Sequence, residues 1–341
     1  MRVKAIDAEA HVKRLLKRLR HRPDLGNSQG FMEAWQQLGS ELALKPLFGK
    51  ELADEVVFSI SFGEAAIHAE RQRPTPSCRR VELEGLNCPS DYLCLAVARQ
   101  MAIHAPERVC NVHCFEEVYG GRILTDIVPQ AQHQTYDGGI RQLNHLQEVE
   151  EAMRLHCDDA DLPCRAPWQL LFGIRNKHKT KTVLAPIPSD QVLAGHGIDT
   201  KILRQDLFRH RPPAIAEAEP PLRPVLWGSL KAPCVQADKK STTGVNHEAK
   251  LALEGLFRFL ERHENQAEVA ISAGEVLIFN NHRVLHGRGP LQPVEHHGER
   301  RWLKRLWMSS PLLDSLQPVK GHCRVFNRQE AFQVTSALKH P

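Results

Sequence analysis

No apolar run in this sequence comes near the roughly 20 residues that a bilayer-spanning helix needs. The first residues carry no apolar signal core either, so a cytoplasmic protein without membrane contact is expected. Internal repeats and low-complexity tracts are missing, which argues against a solenoid and against a disordered tail. A strong excess of one charge is missing too. The 45 basic residues are scattered and matched by 40 acidic ones, for a net charge of +5, so nucleic acid is not implied as a partner. The nine cysteines are odd in number and irregularly spaced, as reduced thiols of a cytosolic chain are. Cys110 and Cys114 could form half a zinc site, but no second Cys/His pair at ligand spacing follows, and small buried hydrophobes are the expected role.

What is present is an ordinary globular composition, 42% hydrophobic and 25% charged over 341 residues. The spacing predicts helices over 7–20, 31–48 and 90–103, the first with a basic outer face. His68-Ala69-Glu70 is a short polar string ahead of Arg71, Arg73, Pro74 and Pro76, and reads as a solvated loop. From about residue 118 short strands dominate: a run ending at Pro129, Trp168 to Ile174, Thr182 to Ala185, Val225 to Gly228, and Gly274 to Phe279. Residues 142–155 fit a helix by periodicity, although the motif after them asks for a strand. A long, proline-rich stretch at 187–224 is the candidate lid. Asn246 is placed to cap a helix over 247–262. Many strands with one inserted helix suggest an antiparallel sandwich or barrel.

The chain is organised around Arg154 to Asp159. On an extended segment His156 and Asp158 project to one side, with Cys157 and Asp159 on the other. An imidazole and a carboxylate on a common face are two parts of a 2-His-1-carboxylate iron site, which leaves open positions on the metal. His286, set at a turn between Gly287 and Gly289 after a strand, is the candidate third ligand. Farther on, Arg301, Leu303, Arg305 and Trp307 share one strand face, and Trp302 and Leu306 share the other with Arg300 and Lys304. Guanidinium groups buried beside Leu and Trp need planar anionic partners. A dicarboxylic keto acid chelating the iron could supply one carboxylate, and an amino-acid substrate another.

Gly120 to Pro129, Leu155 to Asp158, Asn281 to Arg288 and Arg301 to Arg305 resemble the clavaminate synthase-like branch of the taurine dioxygenase superfamily. These are Fe(II)/2-oxoglutarate-dependent oxygenases, and the branch includes the arginine and asparagine β-hydroxylases. The likeness spans about residues 85–310. It implies an α+β, mainly β fold with a double-stranded β-helix (jelly-roll) core and flanking helices. On that frame one oxygenase domain fills 1–341, with a mostly helical part to 110, the core over 111–315, the lid at about 187–224 and a tail from 316.

The resemblance also implies roles. His156, Asp158 and His286 match the iron ligands. Arg301 matches the arginine that grips the far carboxylate of 2-oxoglutarate, with Arg300 as fallback, and Thr182, or Thr180 in another register, assists. Arg305 matches a contact to the substrate carboxylate. The implied reaction consumes O₂ and 2-oxoglutarate to hydroxylate, or desaturate, an amino acid or its derivative, free or carrier-bound. Asp158 replaces the branch's usual Glu and ligates equally well in the wider superfamily. Its presence argues against halogenation. Thr125 stands where the amino-acid hydroxylases tend to have Gln, and Lys239 and Lys240 flank Asp238 in the region that reads the substrate side chain. Two rival readings use the same residues, a catalytically silent jelly-roll binding protein for a carboxylate ligand and a zinc hydrolase.

Overall fold

The computed structural model describes residues 3–10, 23–40, 55–76, 87–104, 109–117, 121–129, 152–211, 220–294, 296–309 and 311–336. Its strands are β1 Lys4–Asp7, β2 Val57–Ser61, β3 Asn111–Phe115, β4 Leu124–Ile127, β5 Met153–His156, β6 Trp168–Arg175, β7 Thr182–Pro186 and β8 Phe208–His210. They continue with β9 Leu226–Trp227, β10 Cys234–Val235, β11 Thr242–Gly244, β12 Ala267–Val269, β13 Glu275–Asn280, β14 Val284–Arg288, β15 Trp302–Ser309 and β16 Val325–Phe326. The helices are α1 Ser28–Ser40, α2 His68–Arg71, α3 Pro89–His104, α4 Asp190–Gly195, α5 Thr200–Leu203, α6 His247–Leu260 and α7 Arg328–Ser336.

Strands and helices make a mixed, mainly β fold built on two sheets. The larger runs β1-β2-β13-β6-β15-β3-β16, with β4 also paired to β15, and the smaller runs β12-β7-β14-β5. β6 is nearly all apolar because both its faces are covered. Leu170, Phe172 and Ile174 pack outward with Tyr92, Leu93 and Leu95 of α3 and Phe31 of α1. Leu171 turns inward and meets Leu277, Phe279 and Leu303 of the large sheet and Leu184 and Val284 of the small one. Behind the small sheet, Ala249, Leu253, Leu256 and Leu260 of α6 pack with Leu155, Ala185 and Leu285. Each such side chain contributes roughly 1.5–3 kcal/mol by leaving water.

Several expectations hold to within a residue or two. β6, β7, β9, β13, α3 and α6 fall where the sequence places them, and Asn246 Oδ1 accepts from Ala249 N at 2.8 Å to cap α6. The other elements depart from the sequence reading in specific ways. Most of the helix expected over 7–20, the end of that over 31–48, and residues 142–151 lie outside the described residues. Residues 187–211 form two short helices and a strand rather than an open loop. Leu193, Ile198, Leu203 and Phe208 are buried in that segment, and 212–219 lie outside the described residues.

The string His68-Ala69-Glu70 is no solvated loop. It forms helical turn α2, and Glu70 is buried where it accepts from Ser90 N at 3.0 Å and Ser90 Oγ at 2.6 Å. Lys304 Nζ, on the outer face of β15, lies 3.1 Å from Glu70 and 2.5 Å from Asp91. This buried triad ties α2 and the start of α3 to the large sheet. Among the described residues, β1 and β2 extend one side of the large sheet and β16 pairs with β3 at the other. The described cysteines are free thiols, Cys114 buried and Cys110 half-buried.

Candidate metal centre

β5 and β14 are antiparallel neighbours with His156 directly opposite His286. His286 sits mid-strand rather than at a turn, and the register shifts just after it, between His286 and Arg288. Gly287 is needed at that irregularity because a Cβ there would stand 2.5 Å from the Met153 carbonyl oxygen. The irregularity lets the two imidazoles meet, with ring centroids 4.2 Å apart. β5 ends at His156, yet the alternation carries two residues on. Asp158 Oδ1 lies 3.5 Å from His156 Nε2 and 3.6 Å from His286 Nε2. Among the described residues these three make the one His/Cys/Asp/Glu group whose ligand atoms could share a metal ion, all within 4.8 Å of one another.

Each donor is aimed. His156 Nδ1 lies 2.9 Å from the Arg154 carbonyl oxygen. A carbonyl only accepts, so Nδ1 carries a proton and Nε2 faces the other two residues. The Phe279 ring, 4.8 Å away, backs His286. Arg305 Nη1 at 2.8 Å and Trp307 Nε1 at 2.9 Å both donate to Asp158 Oδ2 and leave Oδ1 for a metal. Asn281 fixes the backbone of the same residue: its Oδ1 accepts from Asp158 N at 2.9 Å, and its Nδ2 donates to the Asp158 and Ala166 carbonyls.

The electrostatics suit a cation. Burial acts against the Asp158 carboxylate, but Arg305 and the two imidazoles hold it well below the usual carboxylate range. Burial and the His156 charge push His286 down to about 3, so it stays neutral with a lone pair to give. Burial acts against the charged form of His156, but Asp158, by hydrogen bond and charge, together with Asp238 and the Arg154 carbonyl, raises it. Two nitrogens and one carboxylate oxygen on one side are the donor set that borderline divalent metals such as Fe(II) take.

Two residues along β7 and β14 from the level of His286, Arg288 pairs with Thr182, and a cationic cluster stands there. Arg301 Nη2 donates to Thr182 Oγ1 at 3.1 Å, while Arg301 Nε is buried with no partner among the described residues. Burial, and then Arg288 nearby, pull Arg301 down to about 9. A desolvated guanidinium with an orphan N–H and a cationic neighbour calls for a carboxylate ligand. The backbone N–H and carbonyl of Thr180 are bonded to the Asn176 side chain. Arg300 donates to the Pro129 carbonyl at 3.1 Å. Arg305 sits against Asp158 and its guanidinium lies 4.1 Å from the Trp307 ring centroid. Asp238 forms a bridge with His156, and its carboxylate accepts from Lys240 N and Ser241 Oγ. Lys239 is turned away into an ion pair with Glu261.

Sequence reasoning put Trp307 on the right face but gave it no role, and it missed Asn281. Both act across more than 100 residues of chain, and no local spacing encodes such a contact.

Comparison with known proteins agrees with this geometry. Residues 200–307 match the family model "Taurine catabolism dioxygenase TauD, TfdA family". The chain is 24% identical over 215 residues to an L-ornithine/L-arginine 3-hydroxylase of Catenulispora acidiphila, covering 54% of this chain and 59% of that protein. It is 25% identical over 192 residues to an enduracididine beta-hydroxylase of Streptomyces hygroscopicus, covering 49% and 55%. The match thus spans little more than half the length of these relatives. The fold is that of the non-heme iron oxygenase OrfP, solved in complex with Fe and alpha-ketoglutaric acid. The superposition gives a TM-score of 0.73 at 21% identity over 96% of this chain and 100% of that one. The resemblance read from the four sequence motifs is borne out. Among the described residues no helix is long and apolar enough to cross a membrane.

Proposed function

We propose that the chain is an Fe(II)/2-oxoglutarate-dependent oxygenase that hydroxylates an unactivated C–H bond of an amino acid or amino-acid derivative. The observation that carries this reading is the juxtaposition of the His156, Asp158 and His286 donors with the orphaned Arg301 guanidinium and Thr182. In this reading one oxygenase domain fills 1–341, and the two sheets are the walls of a double-stranded β-helix. When bound, iron and the keto acid use O₂ to convert 2-oxoglutarate to succinate and CO₂, with the second oxygen atom going to the substrate.

The residues of the chain would hold and orient. His156 Nε2, His286 Nε2 and Asp158 Oδ1 would take the metal. Arg305 and Trp307 keep Asp158 from swinging, since both occupy its other oxygen. Arg301 and Thr182 would grip the far carboxylate of 2-oxoglutarate, and the charge of Arg288 adds to their pull. Arg305, beside Asp158, is the candidate contact for a substrate carboxylate. Asp238, beside His156, would favour a cationic side chain. Lys239 does not oppose this, because Glu261 neutralises it. Basic amino acids, the substrates in the names of both curated relatives, are therefore the first to screen.

Anaerobic titration of the metal-free protein with Fe(II) and 2-oxoglutarate tests the cofactor pair. A visible charge-transfer band is expected in the wild-type protein and not in His286→Ala, and, once O₂ is admitted, succinate release that a basic amino acid stimulates. A folded, iron-loaded protein that shows no band and forms no succinate would overturn the proposal.

A further inference from the structure

Asp158 opens a turn that the chain does not favour. Asp159 has φ of 52°, in the left-handed region that a non-glycine residue enters at a cost. The turn closes by a hydrogen bond from Leu162 N to the Asp159 carbonyl at 2.8 Å. Its two other carboxylates, Asp159 and Asp161, are nearly buried, and Oδ2 of each has no partner among the described residues. Two adjacent buried anions repel one another and are costly unless a cation stands between them.

That cation comes from the far side of the chain. Arg328 Nη2 donates to Asp161 Oδ1 at 2.6 Å and to Asp159 Oδ1 at 3.3 Å. Arg328 is itself firmly placed. Immediately before it, β16 lies parallel to β3. Asn327 caps α7 by accepting from Glu330 N at 2.8 Å, and Arg328 N donates to Glu117 Oε2 at 2.9 Å. Arg328 thus stands on a rigid corner where β16 meets α7 and reaches the turn that presents Asp158.

We infer that Arg328 is a positioning residue for the metal centre, a latch by which the C-terminal helix α7 holds the turn carrying Asp158. It acts through Asp159 and Asp161 rather than on the metal, and the inference rests on the reading of His156, Asp158 and His286 as metal ligands. Asn281 holds Asp158 from one side of the turn and Arg328 holds the following residues from the other. Without Arg328 the two carboxylates have no bonded cation, they move apart or toward solvent, and Asp158 loses its aim.

Co(II) is a suitable probe, because its visible spectrum reports occupancy and geometry without turnover. Arg328→Ala is expected to bind Co(II) roughly 10- to 100-fold more weakly than wild type, the usual range for losing a group that orients a ligand. Arg328→Lys, which keeps the charge, should lie between the two. Arg328→Gln combined with Asp159→Asn and Asp161→Asn removes the buried charge altogether. It should recover most of the affinity, and it serves as the test if Arg328→Ala does not fold. Unchanged Co(II) affinity in folded Arg328→Ala overturns the latch, as does a folded triple variant that binds no better than Arg328→Ala or, where that does not fold, 10-fold or more below wild type. Failure of the wild-type protein to bind Co(II) would instead overturn the metal reading, and this inference with it.

Discussion

Lys304 and Arg301 belong to the same short stretch of chain and are both desolvated, yet they are treated in opposite ways. Lys304 faces outward from β15 and meets two carboxylates, Asp91 and Glu70, within 3.1 Å. Arg301 faces inward and, among the described residues, meets only a hydroxyl, with a second guanidinium nearby. The outer cation is closed off by protein and holds α2 and α3 to the sheet. The inner one is left electrically incomplete. A buried cation with surplus anion is mortar, whereas a buried cation short of anion is a socket.

The comparison breaks if the two cations prove interchangeable in effect. Lys304→Ala should cost stability most, roughly 3–5 kcal/mol, because it leaves two buried carboxylates without their cation. Thermal and urea unfolding would measure this, and 2-oxoglutarate affinity in the folded fraction should stay as in wild type. Arg301→Ala should do the reverse. Loss of a charge-assisted pair predicts roughly 100-fold weaker 2-oxoglutarate binding, read from the charge-transfer band, with little change in melting temperature. If Arg301→Ala were instead the more destabilised protein and bound 2-oxoglutarate normally, Arg301 would be structural and the contrast lost.

A third way of treating a basic group is to give up its charge, and its effect is confined to acid pH. His113 on β3 is fully buried, stacked on Trp307 at 5.8 Å, and neither ring nitrogen has a partner among the described residues. Burial first, and then Arg324 and Arg305, push it down to about 3. The unfolded chain therefore binds a proton that the folded chain refuses between about pH 6.5 and pH 3. Stability falls as the pH drops through that window, by about 1.4 kcal/mol per pH unit at its steepest for one such group. His113→Phe should flatten the acid limb of the stability curve, and an unchanged slope in acid-unfolding experiments would show that His113 is protonated in the fold.

How far the sequence reveals this follows from the range of each interaction. The His156/Asp158 pair was legible because one strand alternation fixes it, and Arg301, Lys304 and Arg305 were assigned to their faces of β15 by the same rule. Thr182 and His286 needed the resemblance or a distant pairing. His286 was read as a turn residue because its glycines suggest one, whereas Gly287 makes room for the neighbouring strand. Glu70 was misread because a polar tripeptide looks solvated until Lys304 arrives from more than 200 residues away. Residues 187–211 form short elements rather than an open loop because their apolar side chains pack with those of α6. In each case a long-range partner, invisible to spacing, decided the outcome.

The pairing of His156 with His286 also sets an order of events during synthesis. A growing chain exposes His156 and Asp158 well before β14 exists to bring His286 opposite them. Arg328, which steadies the turn between, follows later still. Until then the nascent chain offers any passing ion only two loosely held donors, a combination without the geometry that selects one metal over another. On the proposed reading, metal choice would therefore fall to the folded protein, after the sheets have closed, rather than to the nascent chain.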